Sequence, residues 1–240
     1  LRSSAIAEIE QRFPDLREHG ATQLKSCQLV LVRMLKVFDF ICQRHDISYW
    51  MTAGTLIGAL RHGGIIPWDC DVDVGMTSQD LEAFTHVSHE LPADMFFQSP
   101  ATDPEYTSNN VYKLRDRHSN YYEWQSKNPQ AKWHNGLQVD LIEYAEDANG
   151  KLVNPFRGTT YDKEEIFPLE TVEFEGDLLL APRNPDRYIR RRYGDYTKLP
   201  PFWKRKPHEG KADPFQPCQH PESRPFRSKR SLRLPNTDHS

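Results

Sequence analysis

The sequence predicts one mixed α/β (α+β) domain, a mixed sheet flanked by helices, followed by a disordered C-terminal tail. Three observations predict it. Residues 22–45 repeat apolar side chains at three- and four-residue steps, the period of a helix. Short runs rich in β-branched and aromatic residues recur after Pro92. Between them, WDCDVDV at 68–74 alternates acidic and apolar residues, the period of a strand.

In chain order, residues 1–21 form a lead-in without a clear signal. The helix over 22–45 carries Leu24, Cys27, Leu31, Met34, Leu35, Phe38, Ile41 and Cys42 on its apolar face, with Thr22 as N-cap. A short strand is expected near Ile47–Met51. A Gly-Thr turn, AGT at 53–55, then opens a short helix through LIGAL. After His62-Gly63-Gly64 comes the WDCDVDV strand. Thr77 caps a second helix running to about Leu91, with Asp80 three residues on in a near capping-box pattern. Strands are expected at 96–98, 111–115 and 137–144, and a hairpin over 171–180 around Glu175-Gly176. Asn184 as N-cap, Pro185 at the first helical position and Gly194 past the end bound a last helix. From Pro200 onward periodicity ends, so the domain is placed at 22–200 and a basic, Pro-rich disordered tail at 201–240.

At 240 residues the chain can bury one sizeable core, yet 37% hydrophobic against 27% charged residues is lean enough to expect some unpacked sequence. No apolar run is long enough to span a membrane. The net charge of −3 hides a basic excess over residues 183–240 and an acidic excess before them. A basic tail can bind nucleic acid or an anionic surface, or stay solvated; without interleaved aromatics near Ser228–Arg233 the solvated reading leads. Cys27 and Cys42 share one helix about 22 Å apart at 1.5 Å per residue, too far for a disulfide, and the four cysteines show no zinc spacing. The sequence does not begin with Met and has no leader pattern, as expected of a piece cut from a longer protein.

The chemistry concentrates in the aspartates. A strand over 68–74 sets Asp69, Asp71 and Asp73 on one face and Cys70, Val72 and Val74 on the other. Crowded carboxylates raise each other's pKa unless a cation lies between them. Two readings stand: an edge strand guarded by charge, or a site for a hard divalent metal. Asp140, between Val139 and Leu141 in LQVDLIEY, is a further carboxylate in an apolar strand, costly unless paired or metal-bound, or else turned to a wet face. A Gly-Thr turn, a helix, a D-x-D strand and a later strand with another Asp follow the arrangement of the nucleotidyltransferase fold. There the turn offers N–H groups to phosphates and the carboxylates hold Mg²⁺ or Mn²⁺.

The longer string YWMTAGTLIGALRHGGIIPWDCDVDVGM at 49–76 closely resembles the signature of the LicD family of phosphocholine transferases and fukutin-related proteins. KLRDR at 113–117, GLQVDLIEY and the segment from Phe167 to RRRYGDY extend the resemblance over roughly 24–200. It implies a phosphotransferase that moves a phospho-alcohol (phosphocholine, ribitol phosphate or similar) from a CDP-activated donor to a glycan hydroxyl on a glycoprotein, glycolipid or cell-surface polysaccharide. Asp71 and Asp73 would hold Mg²⁺ or Mn²⁺, and Asp140 would be third ligand or general base. Gly54 and Thr55 would meet the donor phosphates. Arg61, His62, Lys113 and Arg115 are candidate phosphate or acceptor contacts, each also readable as a surface or turn residue. Many relatives have Asp or Tyr where this chain has Cys70, on the face away from the metal. A nucleotidyltransferase acting on RNA or a small molecule and a catalytically inactive scaffold or regulator of glycan assembly are the competing readings; nucleic-acid binding through the tail ranks below both. Animal relatives place the activity in the Golgi lumen or the secretory pathway, bacterial ones in the cytoplasm.

Overall fold

The computed structural model describes residues 2–107, 112–156, 158–207 and 210–220. In chain order the elements are α1 (Arg2–Arg12), α2 (Gln23–Arg44), β1 (Trp50–Met51), α3 (Ala53–His62), β2 (Val72–Thr77), α4 (Ser78–Val87), β3 (Met95–Gln98), β4 (Lys113–Asp116), α5 (Tyr122–Lys127), β5 (Gln138–Glu146), β6 (Leu152–Val153), β7 (Thr160–Tyr161), α6 (Lys163–Ile166), β8 (Glu170–Phe174), β9 (Asp177–Ala181) and α7 (Pro185–Tyr193). Among the described residues, five strands lie in the order β1-β2-β5-β4-β3, with β6 and β7 extending from β5 and β8-β9 forming a separate hairpin. β2 and β5 run parallel; every other neighbouring pair runs antiparallel. It is the mixed sheet flanked by helices that the sequence predicts.

α2 is the backbone of the core. Thr22 caps it, its hydroxyl accepting from the Lys25 amide at 3.1 Å. Leu31, Met34, Leu35, Phe38, Ile41 and Cys42 are fully buried, in one cluster with Val72, Val74, Leu114, Val139 and Leu141 of the sheet. Each such side chain contributes about 1.5–3 kcal/mol of burial. Trp50 lies across β2 because residue 75 is glycine: a Cβ there would sit 2.4 Å from the indole. Thr77 caps α4 by accepting from the Asp80 amide, and Asn184, Pro185 and Gly194 bound α7. The β8-β9 hairpin turns through Glu175 (φ 49°) and Gly176 (φ 83°).

Several boundaries move. The expected strand at 47–51 is only Trp50–Met51, and the Gly-Thr turn is the first turn of α3 itself. The second helix ends at Val87 and passes into a 3-10 turn over Ser88–Glu90. The strand expected at 68–74 begins at Val72. Its upstream backbone is bonded to side chains instead of to a neighbouring strand: Gln28 Nε2 donates to the carbonyls of Ile66, Pro67 and Asp69, Tyr121 donates to that of Cys70, and Asp69 Oδ1 accepts from the Cys70 amide. Asp69 and Asp71 therefore precede the strand. Of the strand expected at 111–115, Val111 lies outside the described residues and β4 runs on to Asp116.

The lead-in and the tail also acquire structure. α1 falls inside residues 1–21. Arg17, 1% exposed, donates Nη1 and Nη2 to the two carboxylate oxygens of Asp116 at 2.9 and 2.6 Å, Nε to Asp15 at 2.8 Å, and Nη1 to the Pro214 carbonyl at 2.6 Å. Burial alone would push the Asp116 carboxyl up; the Arg17 guanidinium outweighs it and holds the carboxyl below its usual range. Residues 210–220, expected in the unpacked tail, lie against the domain: Asn120 and Asp213 exchange backbone hydrogen bonds, and Ala212 and Cys218 are buried. The remainder of that expectation, 221–240, lies outside the described residues. The four cysteines are buried.

Candidate active site

The parallel pairing of β2 with β5 sets Asp73 opposite Asp140. β4 then sets Lys113 opposite Asp140, and β3 sets Gln98 opposite Lys113. Residues opposite one another share a face, so Asp73, Asp140, Lys113 and Gln98 form one polar row across four strands, each step about 4.8 Å. Val72, Val74, Val139, Leu141 and Leu114 alternate with this row and are fully buried in the core on the other side.

Within the row Lys113 Nζ donates to Asp140 Oδ1 at 2.5 Å, with the two side chains 5% and 13% exposed. Asp140 Oδ2 makes no hydrogen bond among the described residues. Asp73 is held from its backbone: its amide donates to Thr55 Oγ1 at 2.7 Å, and its carbonyl accepts from the Thr52 amide. The hydroxyl of Thr55 is thus engaged in fixing β2 against α3. Gly54 lies beside Asp69; a Cβ on it would come 3.4 Å from Asp69 Oδ2. Ala53, just before it, has φ 46°, a left-handed entry to α3 beside the row.

Arg115 and Lys113 share a face, but they are used differently. Arg115, 3% exposed, donates Nε to Gln98 Oε1 and Nη1 to Gln138 Oε1 and the Gly136 carbonyl. It ties three stretches of backbone together under the row. A cavity of about 290 Å³ opens there, lined by Lys113, Arg115, Gln138 and Asp140 on the sheet side, and walled by aromatic rings that include Tyr106, Trp124 and Trp133. Those walls pack on each other, Trp124 tilted against Trp133 at 5.3 Å and Tyr106 edge-on to Trp133 at 5.8 Å. The wall residues come from loops and from α5. Nothing in their local sequence marks them, which is why sequence reasoning passed over them; the one signal was their aromatic density.

Arg61 and His62 are elsewhere. They end α3, seven residues beyond Gly54, or roughly 10 Å along the axis. Both face the indole of Trp68.

The donor set for a metal is narrow. Among the described residues no group of three or more His, Cys, Asp or Glu side chains is placed to hold an ion. Asp71 and Asp73 remain as a pair of hard oxygen ligands at two-residue spacing, with Asp140 drawn to Lys113. A carboxylate pair suits Mg²⁺, which keeps several waters and takes its other ligands from substrate phosphates; Mn²⁺ accepts the same oxygen donors. The residues fit such an ion.

A parallel strand pair thus lines up two carboxylates, with a lysine in the next strand and a cavity lined by that lysine and by Asp140. The family model described as "LicD/FKTN/FKRP, nucleotidyltransferase domain" matches residues 46–184, and the chain belongs to that family. It is 54% identical over 159 residues to the human ribitol 5-phosphate transferase FKRP, covering 64% of this chain and 29% of that protein. It is 47% identical over 80 residues to the lipopolysaccharide cholinephosphotransferase LicD of Haemophilus influenzae, 33% of this chain and 30% of that one. A third relative is an uncharacterized protein of Rickettsia prowazekii, 42% identical over 64 residues, 27% of this chain and 23% of that one. The chain spans less than a third of the length of each of these relatives.

Proposed function

We propose that this domain catalyses transfer of a phospho-alcohol, of the phosphocholine or ribitol phosphate kind, from a CDP-activated donor to a glycan hydroxyl. The observation that carries the reading is the in-register pair Asp73–Asp140, of which Asp140 is held by Lys113 in the lining of the 290 Å³ cavity. The family membership and the two transferases named among its relatives support the reaction class. The lipopolysaccharide in one relative's name supports a glycan acceptor.

The chemistry assigns each group a task. Asp71 and Asp73 would hold Mg²⁺ or Mn²⁺, which when bound would neutralise the donor's diphosphate charge. Thr55 keeps Asp73 in place through the strand amide. The acceptor hydroxyl oxygen attacks the phosphorus that bears the alcohol. The bond from that phosphorus to the bridging oxygen breaks, and CMP leaves with the electron pair. The hydroxyl proton goes to Asp140 Oδ2, the oxygen left over from the Lys113 contact. Lys113 fixes which way Asp140 points, and the aromatic walls keep the donor in place and water out.

Calorimetric titration of CDP-choline, CDP-ribitol, CDP-glycerol and UDP-sugars, with Mg²⁺ or Mn²⁺ and then with EDTA, tests this. Metal-dependent binding of one CDP-alcohol, lost in the Asp71→Ala/Asp73→Ala variant, is the expected result. Folded protein that binds none of them with metal present sinks the proposal and favours a scaffold that retains its aspartates.

A further inference from the structure

The C-terminal end of α3 gathers positive charge with no ion-pair partner among the described residues. The Arg61 guanidinium lies 5.8 Å from the centroid of the Trp68 indole, and the Arg205 guanidinium 5.4 Å from the same ring. His62 meets that ring edge-on at 5.8 Å. Arg61 donates Nε to His62 Nε2 at 2.9 Å and Nη1 to the Tyr196 carbonyl at 2.6 Å; Arg205 donates Nε to the Pro200 carbonyl at 2.9 Å.

Carbonyl and imidazole acceptors satisfy N–H groups without neutralising them. Among the described residues neither arginine makes an ion pair, whereas Arg17, Arg33, Arg190 and Arg191 each have a carboxylate partner. Burial and the neighbouring Arg205 hold Arg61 below its ordinary value, and burial and Arg61 do the same to His62. Arg61 Nη2 and both terminal nitrogens of Arg205 keep their donors unused among the described residues. Two guanidiniums pinned on one ring with spare donors have the fork geometry that grips a phosphate bidentately.

The position matters as much as the charge. Trp68 is three residues before Asp71, so the chain itself limits their Cα separation to roughly 11 Å. That separation is within the length of a nucleoside diphosphate.

We propose that Arg61, Arg205 and Trp68 form an anion subsite that takes a phosphate group, distinct from the Asp71/Asp73 pair and acting beside it. It rests on the transferase reading for the source of that phosphate, either the donor's diphosphate or a phosphate already carried by the acceptor glycan. Arg205 is the piece that makes it a site, because it arrives from the segment after Pro200-Pro201 and completes what α3 alone leaves half-built.

The test uses the full chain. Inorganic phosphate and glycerol 3-phosphate are titrated in EDTA, and a CDP-alcohol in Mg²⁺, on wild type, Arg205→Gln, Arg61→Gln and Asp71→Ala/Asp73→Ala, with thermal melts on each. The expected result is phosphate binding that weakens tenfold or more in Arg205→Gln, survives the double aspartate change, and falls with added salt. If the CDP-alcohol loses affinity in parallel, the subsite serves the donor. If it does not, and the KM for a phosphorylated acceptor rises instead, the subsite serves the acceptor. No phosphate binding to wild type at millimolar concentration, or binding equal in wild type and in both folded arginine variants, overturns the proposal. Failure of the transferase reading has a different signature: arginine-dependent phosphate binding persists while no CDP-alcohol binds with metal.

Discussion

The four-residue strand β4 carries an ion pair at each end, and the two are built to opposite specifications. At one end Asp116 takes both forks of Arg17, with the two side chains 1% exposed and the remaining donors closed by Asp15 and Pro214. At the other end Lys113 touches one oxygen of Asp140, leaves the second open, and lies at the floor of a cavity. Breaking a buried charge pair by removing one partner leaves an uncompensated charge in the interior. A single-contact pair beside solvent has a smaller structural stake and more freedom to rearrange. One strand thus separates a closed ion pair from an open one over about 10 Å.

Four substitutions sharpen that contrast, in order of expected size. Asp73→Asn is expected to cut transfer by about a thousandfold, close to 4 kcal/mol of activation free energy, with the melting temperature nearly unchanged; a turnover assay beside a thermal melt reads both. Asp116→Ala is expected to lower stability by about 3–5 kcal/mol, with turnover per folded molecule kept; urea unfolding measures it, and a loss under 1 kcal/mol would mean that Arg17 finds another partner. Lys113→Met is expected to reduce turnover about a hundredfold through misorientation of Asp140, with stability changed far less than by Asp116→Ala; equal losses of stability in the two would erase the distinction. Thr22→Ala, a cap remote from both pairs, is expected to cost about 1 kcal/mol and nothing in activity.

Acid gives a further separation. The Asp116 carboxyl is held below its unfolded value by Arg17, so its contribution is present above the unfolded pKa near 3.9 and is lost as pH falls through the folded value. Stability should therefore drop in strongly acidic solution in wild type. In Asp116→Asn that acid-dependent loss should be smaller, as a pH series of melts would show.

What the sequence disclosed, it disclosed through local rules. Thr22, Thr77 and the Asn184-Pro185…Gly194 set each satisfy helix-end N–H or C=O groups within a few residues, so composition at those positions is enough to read the ends. LQVDLIEY likewise read as a strand and marked Asp140 as a carboxylate that is paired, metal-bound or turned to a wet face. The misses are non-local. β2 starts late because Gln28 and Tyr121, far away in the chain, claim the backbone of residues 66–70. Arg115 reads as a surface charge in KLRDR, yet it is buried by partners from two separate stretches, Gln98 and 136–138. Residues 210–220 have no periodicity, and their order comes from contacts with Arg17, Asn120 and Ser119. At the site, the D-x-D spacing was legible and the row Asp73–Asp140–Lys113–Gln98 was not, since register between strands is written in no single segment.

Arg17 has a consequence for how the domain is made. Synthesis releases this arginine first, its carboxylate partner on β4 only after three helices and three strands, and the Pro214 carbonyl later still. Until then a cation destined for the interior has only its neighbour Asp15 and water as partners. The parallel β2–β5 pairing adds the same delay, because Asp73 must wait for Asp140. A ribosome-bound chain stalled before residue 214 should therefore be sensitive to protease although it already holds every residue of the cavity floor, and a short further extension should make it resistant.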